Sequence, residues 1–512
     1  MGKSLIHRTV ICIFILIYGG TEAFLQETDS LIYSSKEALS RDQYRAIVLD
    51  AKEQIIIAKP SSENSSITFS IYDSSLLIKK DEFSWAPKVR DSKYFNVISV
   101  AVFRGNILVI SSDVNKKEKT ETVWLDVLSP SGAQVSSIVV ENRELTSMAS
   151  DFSYELFTSD DEQFLGISSA NENNRANQFE IRLYIYNESL VKLSNQSINL
   201  PNIKRVSFPS NFTLDPEGTV YFLNGLQNQK GDEVNDIGLN KRLYQLFRFN
   251  PTDEKLKQYD VSIADKYITD VKMKTDPEGN LVVLGFYNNS YEKSAEGLFT
   301  MVISREDGAI ILSGKKPFKG EVLSDFKTGK QVKKNPIINN LFLDHFFFTE
   351  GGTMVLLAEV FNIEQRLMQD ATGINMTTST YYNFDEILAL EIEQNLNYVR
   401  HHTIHKRQKS INFMNPYWSY AVLNPTAPEN LKVLYNYVTP KGKKNAVTIL
   451  SEARTSTWCQ GVFSKNSQAI EADRNLKVAP LHAPKHLNNT LILQDKNEYR
   501  LAKILPDNAS KD

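Results

Sequence analysis

One pattern governs what this chain can fold into. A β-rich run, a short polar turn and a second β-rich run recur along most of its length. Residues 44–49 and 54–58 flank Asp50-Ala-Lys-Glu, 97–103 and 107–110 flank Arg104-Gly-Asn, and 154–157 and 164–167 flank Asp160-Asp-Glu. Residues 212–214 and 220–223 then flank Asp215-Pro-Glu-Gly218, and 271–273 and 281–284 flank Asp276-Pro-Glu-Gly279. The last two units lie around Glu350-Gly-Gly and around a loop through Pro428-Glu-Asn. Proline at the second turn position presets φ, and glycine later in the turn accepts positive φ. The flanking Val, Ile, Leu, Tyr and Phe suit a pleated, buried sheet.

The turn centres fall near residues 52, 105, 161, 217, 278, 351 and 429. A period of about 55 residues, stretched in the second half by insertions, is the mark of a propeller or array. A second set of turns falls between the first: Ser129-Pro-Ser-Gly132, Asn187-Glu-Ser, residues 250–254, Arg305-Glu-Asp-Gly308 and Glu393-Gln-Asn-Leu. Two hairpins per period make four strands, the content of one blade. The expected fold is all-β, a single β-propeller of about seven four-stranded blades. Strands at 490–493 and 498–504 are expected to complete the last blade, and the segment after Phe24 offers a closing strand. Two β-sandwiches are the alternative; they explain short strands but not the period.

The N-terminus predicts export. Lys3 and Arg8 precede a mostly apolar run at 9–18, then Gly19 and Gly20, then Thr21-Glu-Ala with small residues at the cleavage positions. This is the layout of a signal peptide, residues 1–23. The apolar run is too short to span a bilayer; an uncut anchor is the alternative. The propeller domain would occupy 24–512, in the periplasm, on the outer surface or secreted, with no transmembrane segment after cleavage. Cys12 leaves with the signal and Cys459 is the one other cysteine, so no internal disulfide is available and a core must hold the fold. Beside Trp458, Cys459 reads as a small buried residue. A net charge of −3 argues against a nucleic-acid binder. Asn-x-Ser/Thr sequons stand at Asn64, Asn187, Asn195, Asn211, Asn288, Asn375, Asn488 and Asn508, and in a chain this rich in Asn, Ser and Thr they do not decide the source.

Two insertions break the rhythm. Residues 315–334 carry seven lysines against two acids. They read as a solvated linker, or as a docking surface for an acidic partner or polysaccharide through Lys315, Lys316, Lys333 and Lys334. Residues 362–382 read as a long loop ending in Tyr381-Tyr382, and long loops on rigid scaffolds carry binding residues.

Chemistry is sparse. Of seven histidines, His401, His402 and His405 form one cluster, and the spacing of His401 and His405 puts both on one face of a helix or a strand. They are the candidate metal ligands, without an adjacent carboxylate or cysteine as third ligand, and surface histidines are the plainer reading. There is no nucleophile elbow, phosphate-binding loop, dinucleotide fingerprint or calcium loop, so no catalytic residue and no cofactor is assigned. Acidic pairs at Asp160-Asp161 and Asp385-Glu386 would matter only at a separation suited to glycoside hydrolysis. The two Asp-Pro-Glu-Gly segments read as equivalent turns of a repeat. Tyr417, Trp418 and Tyr420 read as blade core, with a sugar platform as the alternative, and His345 reads as structural.

The stretch from Asp276 to Gln408 also carries a resemblance. Asp276-Pro-Glu-Gly-Asn-Leu-Val-Val-Leu-Gly-Phe-Tyr-Asn-Asn, Glu296-Gly-Leu-Phe, Gly351-Gly-Thr-Met-Val-Leu-Leu-Ala-Glu359, Tyr381-Tyr-Asn-Phe-Asp-Glu-Ile-Leu and His405-Lys-Arg-Gln408 follow in that order. Together they resemble a group of uncharacterised exported β-propeller-like proteins of Bacteroidetes bacteria. The group tends to end in a strand like Asn497-Glu-Tyr-Arg-Leu-Ala-Lys-Ile504, and it usually has a plainer lysine-rich strand where His401 to His405 stand here. The resemblance implies compartment and fold and transfers no catalytic residue. The expected function is a non-enzymatic binding or scaffolding module of the cell envelope, with an unknown protein or polysaccharide as partner. A glycan-acting hydrolase or lyase, and a metal or small-ligand sensor through the three histidines, are the alternatives.

Overall fold

The computed structural model describes residues 31–33, 37–38, 47–50, 54–61, 66–87, 95–145, 152–173, 178–200, 210–226, 243–264, 266–290, 294–349, 351–369, 376–412, 420–423, 431–441, 448–459, 462–463, 468–469, 477–478, 490–494 and 498–504. Among them, eight antiparallel sheets of four or five strands follow one another, with one two-stranded pair besides. The first runs Ile47–Asp50, Gln54–Pro60, Ile67–Asp73 and Lys79–Trp85, each strand paired with the next. Sheets two to seven span 95–144, 152–200, 210–261, 267–317, 341–411 and 420–469.

The second strand of each sheet shows why the sheets are arranged as they are. Leu281–Asn288 is buried at every position. Its alternate side chains enter different cores: Leu281 and Val283 pack with the fourth sheet, Val282 and Leu284 with the sixth. Val109 likewise packs with the first sheet while Leu108 and Ile110 pack with the third. With a side-chain period of two, such a strand needs an apolar neighbour on each face. Six hydrophobic clusters lie between consecutive sheets, from the first–second to the sixth–seventh. The first strands of sheets one to six touch one another in succession, and they are less buried than the second strands, so they form the inner edge. The architecture is a β-propeller.

The expected turns at 104–106, 160–162, 215–218 and 276–279 join the first and second strands of the second to fifth sheets, and each of the five intermediate turns joins a third strand to a fourth; the expected turns at 51–53, at 350 and through 428–430 lie wholly or partly outside the described residues. The Asp-Pro-Glu-Gly segments are equivalent, as the sequence predicts. Asp215 Oδ1 accepts from the amides of Glu217 and Thr219, and Asp276 Oδ1 from those of Glu278 and Asn280. Gly218 and Gly279 follow at φ of 79° and 86°. A Cβ at Gly279 would also meet the Arg305 side chain at 2.7 Å, so glycine is required there twice over.

Three expectations change in detail. The C-terminal pair, Thr490–Gln494 and Glu498–Ile504, does not complete the seventh sheet. It pairs with the N-terminal strand Leu31–Tyr33 in an eighth sheet, with Leu31 opposite Ile504, because the seventh sheet already has its own outer strands. The 315–334 insertion begins as strand: Lys315 and Lys316 lie on Ile310–Pro317, and two short helices follow, α1 (Gly320–Ser324) and α2 (Gly329–Lys334). Phe318 and, on α1, Val322 and Leu323 are buried against the fifth and sixth sheets, so that part of the insertion covers the core, while α2 buries no residue and the lysines stay at the surface. The 362–382 insertion is no loop. The strands Met354–Gln369 and Met376–Ile392 continue past their neighbours as a paired arm, flanked near its base by Gln408–Ile411.

Between the second and third sheets lies a buried ion network. Arg143 pairs with Glu121 and, at 3.6 Å, with Glu141, while Arg182 joins Glu141 and, at 2.7 Å, Glu180. Arg143, Glu121 and Glu141 are almost wholly buried. Removing one member of such a group strands the others. Arg143→Ala is expected to cost about 3–5 kcal/mol in urea unfolding, and pairing it with Glu121→Leu is expected to recover much of the loss.

Candidate functional site

Where the first strands end and the turns begin, four successive sheets enclose a depression of about 500 Å³. Asp160 and Asp161 come from the third sheet, Leu214 and Pro216 from the fourth, Lys274 to Pro277 and Arg305 from the fifth, and Phe348 from the sixth. Most of its carboxylates are already engaged. Asp276 accepts from two turn amides through Oδ1, and through Oδ2 from Asn280 and, at 3.3 Å, from Gln394. Asp161 Oδ1 accepts from Ser159 Oγ at 2.6 Å and from the amide of Gln163 at 3.1 Å. Arg305 is paired with Glu217. Lys274 lies 5.8 Å from the ring of Phe347 and has no ion-pair partner among the described residues. The depression thus offers one cation, Lys274, and one carboxylate, Asp160, that makes no hydrogen bond or ion pair with the described residues, beside Phe348, Leu214 and two proline rings.

A second polar assembly lies between the sixth and seventh sheets. Asp344 sits at a bulge in Leu341–Phe348, where the register shifts between Leu343 and His345, and the Tyr420 hydroxyl donates to its Oδ2 at 2.8 Å. Lys406 Nζ donates to Glu359 Oε1 at 2.5 Å and to Gln408 Oε1 at 3.0 Å, all three being buried. Asp270 of the fifth sheet accepts the amide of Leu343 at 2.7 Å, and His345 packs edge-on to Tyr420. Burial, then the charges of Glu359 and Asp270, push the Asp344 carboxyl up to about 8, against the opposing pull of the Tyr420 hydrogen bond and Lys272. The same burial, with Asp344 and Glu359 nearby, raises the Tyr420 phenol well above its ordinary value.

The residues singled out in the sequence are dispersed. His401 and His402 are neighbours on the outer strand Tyr398–Ile404 and so face opposite sides of the sheet, with His401 3.7 Å from Asp325; His405 lies beyond the strand end. Among the described residues no group of three or more His, Cys, Asp or Glu is placed to hold a metal. Tyr381 is buried in the arm, with Lys409 4.1 Å from its ring centroid and Arg366 at 5.0 Å, while Tyr382 is half-buried. Lys316 bonds Asn397 and Lys315 the carbonyl of Ala264, whereas Lys333 and Lys334 lie on α2. Burial and Glu386 raise the Asp385 carboxyl. Asn288 is buried with its amide on Ser290 Oγ. Residues 1–23, Tyr417, Trp418, His482 and His486 lie outside the described residues, as does the Cys459 side chain. Sequence reasoning missed both assemblies. Asp344, an acid inside Leu-Phe-Leu-Asp-His-Phe-Phe-Phe, was the one readable signal.

No family model matches the chain, and no curated protein matches it. Solved structures do. The Dos1 propeller matches at 9% identity over 92% of this chain and 95% of that one, with a TM-score of 0.41. The WD40 domain of SCAP from fission yeast matches at 8% identity over 95% and 97%, also at 0.41. The β-propeller domain of the Trilobed protease from Pyrococcus furiosus matches at 10% identity over 86% and 98%, at 0.36. Among the described residues no helix is long and apolar enough to cross a membrane.

The Asp344 cluster sets a pH dependence. In the unfolded chain this carboxyl loses its proton near 3.8, in the folded chain near 8. Between those values the folded state holds the extra proton, so stability present below about pH 4 falls as pH rises toward 8, by at most about 1.4 kcal/mol per pH unit. Asp344→Asn is expected to flatten that slope in urea unfolding followed from pH 5 to 8.

Proposed function

We propose that this chain is an exported, non-enzymatic binding or scaffolding propeller, and that its turn-end depression takes a segment of a protein partner. The observation that carries the reading is the state of the carboxylates there: Asp161 and Asp276 are held by the amides and side chains of their own turns. A glycosidase needs two carboxyl groups free to hold and release a proton or to attack. Oxygens already occupied by donors of their own turns have fewer lone pairs left for a substrate. That leaves Asp160 as the one lining carboxylate without a bond to the described residues, short of the pair a glycosidase needs, beside Lys274, Phe348, Pro216 and Pro277, which is contact chemistry. Asp344 and Glu359, acids of the assembly between the sixth and seventh sheets, are bonded to Tyr420 and Lys406 and do not line this depression. Export rests on the layout of residues 1–23.

A photo-crosslinking residue placed at Phe348 in the native envelope, with one at exposed Lys255 as control, tests this reading. The expected result is a discrete protein adduct from position 348, absent from 255 and lost with Lys274→Glu. Identical adducts from both positions, or a polysaccharide that co-purifies and shortens on incubation, would count against it.

A further inference from the structure

A second depression, of about 460 Å³, opens at the start of the strand Leu341–Phe348, whereas the first lies at its end. Its walls are Ser294, Asn339, Asn340, Phe342, Phe361, Asn362 and Ile363. Two backbone irregularities build it. Asn340 adopts φ of 53°, a left-handed conformation that asparagine tolerates better than most residues, and its carbonyl accepts the amide of Phe361 at 2.9 Å. A bulge between Glu359 and Phe361 then re-aims the strand just where Phe361 enters the wall. Phe361 packs on Phe384 at 4.6 Å and meets Phe342 at 5.9 Å and 62°, so the aromatic wall is braced from behind.

The chemistry of this wall is specific. Among the described residues no charged side chain lines it. The side-chain amides of Asn339, Asn340 and Asn362 make no hydrogen bond to the described residues, so the fold does not use them. Each amide presents donors and an acceptor together. Paired donors and acceptors beside apolar rings match a ligand whose hydroxyls both give and accept hydrogen bonds and whose C–H faces are apolar. Ions would find no counter-charge among the described residues that line it, and a purely apolar ligand would leave three amides unsatisfied.

We infer that this depression is a binding site for a neutral sugar unit, held by Asn339, Asn340 and Asn362 against Phe342 and Phe361. It is a separate site from the turn-end depression and does not depend on what binds there. The test is isothermal titration of the full chain with neutral hexose oligomers, a uronic-acid oligomer and a neutral peptide. A neutral oligomer is expected to bind at one site per chain, with the uronic-acid oligomer and the peptide at least about ten-fold weaker. Asn340→Asp and Asn362→Asp keep the shape of the side chain but remove its donors, and Asp also tolerates the left-handed conformation at 340. Each is expected to weaken binding about ten-fold or more, with the thermal unfolding midpoint unchanged as evidence that the fold survives. The inference is overturned if no neutral oligomer binds, if the charged oligomer or the peptide binds as well, or if both folded variants bind like the parent.

Discussion

A strand that is apolar on both faces cannot be buried by one neighbour. In this chain the second strand of sheet after sheet has that character, and it dictates the rest. Leu281 and Val283 face one core while Val282 and Leu284 face another, so the fifth sheet is stable only between the fourth and the sixth. The same holds along the series, with a cluster at each interface from the first–second to the sixth–seventh sheet. An arrangement of this kind leaves the terminal sheets in need of partners. The chain meets that need in part with its own ends, pairing Leu31–Tyr33 with Glu498–Ile504. With Cys459 as the one cysteine beyond the N-terminal apolar run, the pairing is made by hydrogen bonds and packing.

Polar chemistry is divided by location. Between sheets it serves cohesion: Arg143 and Arg182 tie the second sheet to the third, and Tyr420 and Asp344 tie the seventh to the sixth. At the turns, side chains such as Asp215 and Asp276 close the backbone and are no longer available for other work. What is left for recognition is the surface those turns enclose and the opening around Asn340, and both expose uncommitted groups beside aromatic rings.

Much of the frame was legible in the sequence because its signals are local. A turn such as Asp-Pro-Glu-Gly and its flanking strands lie within about 15 residues, so spacing alone places each first hairpin. The arm at 362–382 was not legible as a hairpin, since its strands carry exposed Ile363, Leu367 and Met376 in place of clean alternation. The strands at the two ends were read as closing elements, but not that they form a sheet of their own beside the seventh. The sites were hidden because their signals are not local: Lys274 and Phe348 meet only through the fold, as do Asp344 and Tyr420.

The pairing of the chain's ends can be probed directly. Tyr33 stands opposite Ala502 in the register. Cysteines at both positions, in a background carrying Cys459→Ser, are expected to form a disulfide under mild oxidation and to raise stability by about 2–4 kcal/mol over the reduced form. Thiols that remain free, or a crosslink that lowers the unfolding midpoint, would contradict the placement of the N-terminal strand and the arrangement of sheets that depends on it.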